Sequence, residues 1–279
     1  MEYREILPLP PLRGFVECFW TLEGDTSLQA LQPERLLPDG CVELILNFGA
    51  EFLQHSDGVR KLQPRNFLVG QMTGPILISP TGRVELLGIR FHPGGTRPFL
   101  RVPLHEITDQ VVELGSVSSK LEGDLLRVCS EPRSLRNKVA AADAYLCSSL
   151  ISADYDSRLT ALAGSIVERR GLVSVDQLAT DAGVSSRQLE RRFLREVGVG
   201  PKLFARIVRF QQVFRAVEQC SVEWAAVALE CGYYDQAHLI RDFNQFAQQT
   251  PAVLFANQSL LTESFTRKAR TSDFYNTAA

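Results

Sequence analysis

The chain has no apolar run long enough to cross a bilayer. Its longest, "CVELILNF" (Cys41–Phe48), is short and carries a charge, whereas a spanning helix needs about 20 apolar residues. The opening stretch, "MEYREILPLPPLRG", has no basic segment leading into an apolar one, so no secretory leader is expected. The six cysteines, at 18, 41, 129, 147, 220 and 231, form no C-x-x-C. They read as reduced core thiols of a cytoplasmic protein. Histidine is scarce. His55, His92 and His105 lie in the first half without an H-x-H pair. A cupin-type metal site needs two or more converging histidines and a carboxylate, so no metal or other cofactor is expected. The nucleophile-elbow, P-loop and dinucleotide fingerprints are missing too, and no enzyme is expected. Nor is the chain basic overall: 30 Lys and Arg stand against 32 Asp and Glu. Binding nucleic acid through charge alone favours a basic chain, so only the distribution of charge is informative here.

What is present divides in two. A length of 279 residues argues for two domains, or one domain with an appended module. Residues 1–117 read as β-rich. "CVELILNF", "FLVG" (Phe67–Gly70), "PILI" (Pro75–Ile78) and "VELLGIRF" (Val84–Phe91) are short β-branched runs punctuated by Gly, Pro, Asn and Asp. Most of the fourteen prolines lie here. The rhythm suggests a small barrel or sandwich. Phe19 and Trp20 read as core residues or as the lining of a pocket. Asp39 and Glu43 read as a turn aspartate and a strand-edge glutamate, with a pocket-facing role left open. Residues 118–156 read as a helical connector, with Leu121, Leu125 and Val128 on one side. Residues 157–257 are helical, and 258–279 form a polar tail expected to fray. The fold class is therefore α+β and multidomain: a β-rich barrel or sandwich, helices, then an all-α domain.

The all-α part contains a repeat. "SVDQLATDAGVSSRQLERRF" (Ser174–Phe193) and "EWAAVALECGYYDQAHLIRDF" (Glu223–Phe243) share one pattern, offset by 49–50 residues. Val175, Leu178, Ala179 and Ala182 fall at i, i+3, i+4 and i+7, as do Trp224, Val227, Ala228 and Cys231. Gly183 or Gly232 follows, where a helix end takes a left-handed residue. A new helix then starts: Ser185 with Gln188 makes a capping box, and Asp235 is a good N-cap. Leu189 and Phe193, or Leu239 and Phe243, mark its buried side. Pro201 and Pro251 each open a further helix. Helix, glycine turn and capped helix outline a helix-turn-helix.

The first unit also gathers charge. Arg187, Arg191 and Arg195 lie at i, i+4 and i+8, opposite Leu189 and Phe193, with Arg192 beside them. From Arg187 to Arg215 eight positive residues stand against Glu190 and Glu196. Such a stripe suits a helix lying in a major groove, where arginine pairs with guanine edges or with phosphates. The plainer alternative is a solvated charged face.

Over about residues 157–256 the sequence resembles the AraC/XylS family of transcription regulators. "LATDAGVSSRQLERRF", "VGVGPKLFARIVRFQQVFRAV", "VALECGYYDQAHLIRDF" and "TPAVLF" carry the likeness. The resemblance implies two helix-turn-helix units joined by a long helix, with both recognition helices in adjacent major-groove segments. It implies base contacts from Arg187, Glu190 and Arg191, and from Gln236, Ala237, Ile240 and Arg241. Ser185, Ser186, Arg192, Arg195 and His238 are implied backbone contacts, and Asp235 stands at the head of the second recognition helix. The implied partner is promoter DNA, with RNA polymerase, a small-molecule effector and a second copy of the chain as further candidates and no membrane. Asp235 and Asp242 against Arg241 suggest a weaker grip on phosphates by the second unit. "FVECFW", "LLPDGCVELILNFG", "GIRFHPGGTRPFL" and "VPLHEITDQVVEL" resemble cupin-like sensor domains that precede this module in some members. Two alternatives stay open: a non-specific architectural DNA-binding protein, and a metal-dependent cupin enzyme fused to a DNA-binding module.

Overall fold

Strand residues alternate between two faces, and in the first half of this chain both faces are apolar. The reason appears in the computed structural model, which describes residues 1–25, 33–56, 58–131, 134–150, 158–217 and 223–256. The tail 258–279, Cys220 and the end of the connector, 151–156, lie outside the described residues. One antiparallel sheet has six strands in the order β1 (Glu2–Ile6), β2 (Val16–Gly24), β9 (Val84–Phe91), β4 (Val42–Asn47), β7 (Asn66–Val69) and β10 (Val111–Glu113). The second has four, in the order β3 (Glu34–Leu36), β8 (Ile76–Pro80), β5 (Phe52–Ser56) and β6 (Val59–Leu62). The expected β-rich domain is there, as two facing sheets. "EFLQHS" and the N-terminal "EYREI" were not among the expected strands. "EYREI" forms the edge of the large sheet, whereas "EFLQHS" supplies β5, inside the small sheet between β8 and β6; partners from distant sequence decide such pairing.

Phe19, Leu44, Leu46, Leu87, Ile89 and Phe91 point from the large sheet toward two helices, α1 (Leu114–Ser130) and α2 (Leu135–Leu150). Trp20, Ile45, Phe67 and Leu86 point the other way and meet Phe52 and Ile78 of the small sheet. The large sheet is thus covered on both sides, as a mixed layered domain requires. On α1 the buried stripe is Leu121, Leu125 and Cys129, which the next turn completes rather than Val128. Phe19 and Trp20 separate by this alternation: Phe19 is helix-side core, whereas Trp20 faces the space between the sheets.

Trp20 pairs in register with Gly88, and its indole lies across that glycine. A Cβ on Gly88 would sit 1.9 Å from the ring. Gly88→Ala is therefore an overpacking change that costs about 1–3 kcal/mol. A urea midpoint within error of wild type would contradict this placement.

Arg90, on the same inner face, is 1% exposed. It bridges Asp39 and lies 3.6 Å from Glu17 and 3.8 Å from Glu43. Burial, with Glu17 and Glu43 beside it, pushes the Cys41 thiol well up, so that thiol is inert. His92 follows β9 and is held below its ordinary pKa, chiefly by burial. The folded state therefore takes up this proton at lower pH than the unfolded chain, which does so below about pH 6.5. Stability is full above that pH and falls as pH drops through it. A thermal scan should show a falling midpoint from about pH 7.5 to 5.5, and His92→Gln should flatten the slope.

Candidate nucleic-acid interface

The all-α part begins with α3 (Arg158–Glu168). The first unit is α4 (Val175–Asp181) and α5 (Ser186–Glu196), and the second is α7 (Trp224–Glu230) and α8 (Gln236–Phe246). Between them runs α6 (Pro201–Val217), and α9 (Pro251–Ala256) closes the second unit. The local signals act as expected. Ser185 and Gln188 form the capping box, and the Asp235 carboxylate accepts from the His238 N–H at 2.7 Å. Gly183 and Gly232 take φ of 63° and 75°, the left-handed region that glycine occupies most readily.

One helix organises both units. Phe204, Ala205 and Val208 of α6 join Leu178, Leu189 and Phe193 in the first core. Ile207, Phe210, Val213 and Phe214 join Val227, Leu239, Phe243 and Phe246 in the second. The two units therefore share a rigid spine of 17 residues, about 25 Å long.

Arg187, Arg191, Arg192 and Arg195 are all exposed on α5. Ser185, Arg187, Gln188 and Arg191 share one shallow depression. Arg195 pairs with Glu196, whereas Arg187, Arg191 and Arg192 make no ion pair among the described residues. Ser186 donates to Asp176 at 2.9 Å. Glu190 stands apart: its carboxylate lies against Gly200, just ahead of α6. On α8, Gln236, Ala237 and Arg241 are exposed, His238 and Ile240 are half-buried, and Asp235 is occupied as the cap. His238 meets the Tyr233 ring edge-on.

The acidic reading of the second unit changes. Asp242 is 1% exposed and paired with Arg206 of α6 at 2.6 Å, so it adds no surface charge. Three basic residues that the helix pattern did not single out, Lys202, Arg206 and Arg209, line a cleft of about 560 Å³ with His238 and Arg241. Tyr234, 87% exposed, stands just before the cap of α8.

The β-domain is seated on both units. Thr108 donates to the Gly198 carbonyl at 2.7 Å beside the first unit. Leu37 packs into the second core, Arg35 donates to the Ala247 carbonyl at 2.9 Å, and Gln211 of α6 donates to the Pro38 carbonyl. A cavity of about 70 Å³ between the sheets is lined by Trp20, Asp39 and Glu43 and reaches Gln211. Glu43 is no strand-edge residue, because β4 lies between β9 and β7.

Residues 178–269 match the family described as "Helix-turn-helix domain", and residues 4–113 match "Domain of unknown function (DUF6597)". The C-terminal part of this chain is a helix-turn-helix domain of the AraC type. A Haemophilus influenzae protein described as an uncharacterized HTH-type transcriptional regulator is 32% identical over 98 residues. That alignment takes in 35% of this chain and 33% of the relative, so the chain spans about a third of that protein's length. Among solved structures, ToxT from Vibrio cholerae aligns with 86% of this chain and 99% of its own at 10% identity, with a TM-score of 0.43. An unsaturated fatty acid bound form of ToxT aligns with 84% and 94% at 9% identity, with a TM-score of 0.44. An AraC-type domain explains why two capped helices share one spine. No helix among the described residues is long and apolar enough to cross a membrane.

Proposed function

We propose that this protein is a cytoplasmic transcription regulator that binds promoter DNA sequence-specifically, with α5 and α8 reading adjacent major-groove segments. The observation that carries the reading is the pair of capped, outward-facing helices packed on one spine, α6. A shared spine fixes the separation of two readers, and fixed separation is what half-site recognition needs. Arg187 and Arg191 suit guanine edges, Gln236 suits adenine, and Arg241 a second guanine. Arg192, Arg195 and the cleft residue Lys202 serve phosphates. Glu190, turned toward Gly200, positions the start of α6 instead of reading a base. RNA polymerase is the partner through which such binding would act, and a second copy of the chain is a further one.

The β-domain acts as the sensor in this reading. Its cavity touches α6, and its loops hold both units, so a ligand that favours one seating of the domain shifts DNA affinity by its differential affinity for the two states. Selection from a random duplex library with the full chain, read at two salt concentrations, tests the DNA reading. The expected motif has two elements about 10 base pairs apart. A single element would reduce α8 to a clamp. No motif, with a steep salt slope, would favour the architectural alternative.

A further inference from the structure

The cavity between the sheets has an apolar end and an acidic end. Trp20, Phe52, Phe67, Ile45, Ile76 and Ile78 form the apolar walls. At the other end stand Asp39 and Glu43, with Glu17 behind them. Among the described residues these three carboxylates outnumber the cations that the ion pairs and the cavity lining place with them, Arg90 and Arg35. Gln211 supplies a separate observation. It is 4% exposed and lines the cavity. Its amide nitrogen donates to the Pro38 carbonyl, which fixes the orientation of the amide. The Oε1 atom is left buried without a hydrogen-bond partner. A buried acceptor of this kind calls for a donor.

We propose that the cavity binds a small alkylammonium ion, its head between Glu43, Asp39 and Gln211 and its tail on the aromatic wall. An ammonium offers three donors and no acceptor, which matches a carboxylate pair and an orphan carbonyl oxygen. It also reduces the excess negative charge at the acidic end. A carboxylate ligand would meet like charge, and an alcohol brings one donor and no charge. Size limits the choice: a cavity of about 150 Å³ accepts benzene, so about 70 Å³ suits roughly three heavy atoms, with n-propylamine at the upper limit. The ligand class rests on the sensor reading of the β-domain only for its regulatory meaning.

Calorimetric titration of the full chain with n-propylamine, n-propanol and propionate, up to about 20 mM, tests the proposal, since ligands this small bind weakly. Propylamine should bind one site saturably, propanol about tenfold or more weaker, and propionate not at all. Glu43→Gln should weaken propylamine by about tenfold, and the cavity-filling Ile76→Phe should abolish binding. If Glu43→Gln does not fold, the three-ligand series on the wild-type chain decides alone. Equal or tighter binding of propanol or propionate, or no saturable binding of the amine, overturns the proposal. DNA affinity measured at saturating propylamine separates the two readings. Amine binding with unchanged DNA affinity keeps the ligand class and removes the sensor role. A DNA response to propionate or propanol without one to propylamine keeps the sensor and removes the ligand class.

Discussion

Phe210→Ala should lower the stability of the helical domain by about 3–5 kcal/mol. Phe210 is fully buried on α6, with ring centroids 4.8 Å from Phe243, 5.2 Å from Phe214 and 5.3 Å from Phe246. Phe210 and Phe214 of α6 are the floor on which Phe243 and Phe246 of α8 rest. Truncation removes the transfer free energy of the ring and leaves a void that its neighbours on α6 and α8 cannot fill together. Leu194→Ala, at a position 36% exposed, is the control and should cost within about 0.5 kcal/mol. Urea unfolding followed by circular dichroism reads both. A Phe210→Ala loss below about 1 kcal/mol would mean that α8 is held by something other than this cluster.

The double substitution Arg187→Ala with Arg191→Ala should weaken specific DNA binding by about 2–6 kcal/mol. Each side chain is exposed and lies in the same depression at the head of α5. Losing both removes two base-reading forks and brings binding down toward the non-specific level. The matching double substitution to lysine keeps the charge and loses the fork. It should retain the salt slope of the wild type while losing discrimination among sequences. Arg195→Ala should weaken all duplexes alike, as a phosphate contact does. Anisotropy titrations with a selected and a scrambled duplex separate these cases. Equal losses on both duplexes from the alanine pair would refute base reading by α5.

The parts of the fold that rest on local chemistry were legible in the sequence. The capping box at Ser185, the cap at Asp235 and the two positive-φ glycines involve residues at most three apart, so a short window contains them. Asp242 was legible in principle and misread. Leu239, Asp242, Phe243 and Phe246 fall at i, i+3, i+4 and i+7, which puts the carboxylate on the buried flank and demands a partner. Arg206, its partner, lies 36 residues away, and no local pattern points to it. The β-domain shows the same limit. Glu43 alternates with Val42 and Leu44, but which face is solvated depends on a second sheet that closes over it. The seating of the domains was not legible at all: Thr108 meets Gly198 across 90 residues, and Pro38 meets Gln211 across 173.

Selection from a random duplex library, repeated with two variants, tests the central claim most directly. One variant carries Arg187→Ala and Arg191→Ala, and the other Gln236→Ala and Arg241→Ala. If α5 and α8 each read one groove segment, each variant erases one element of the wild-type motif and leaves the other in register. Variants that return the full two-element motif, or that both lose the same element, would contradict the account.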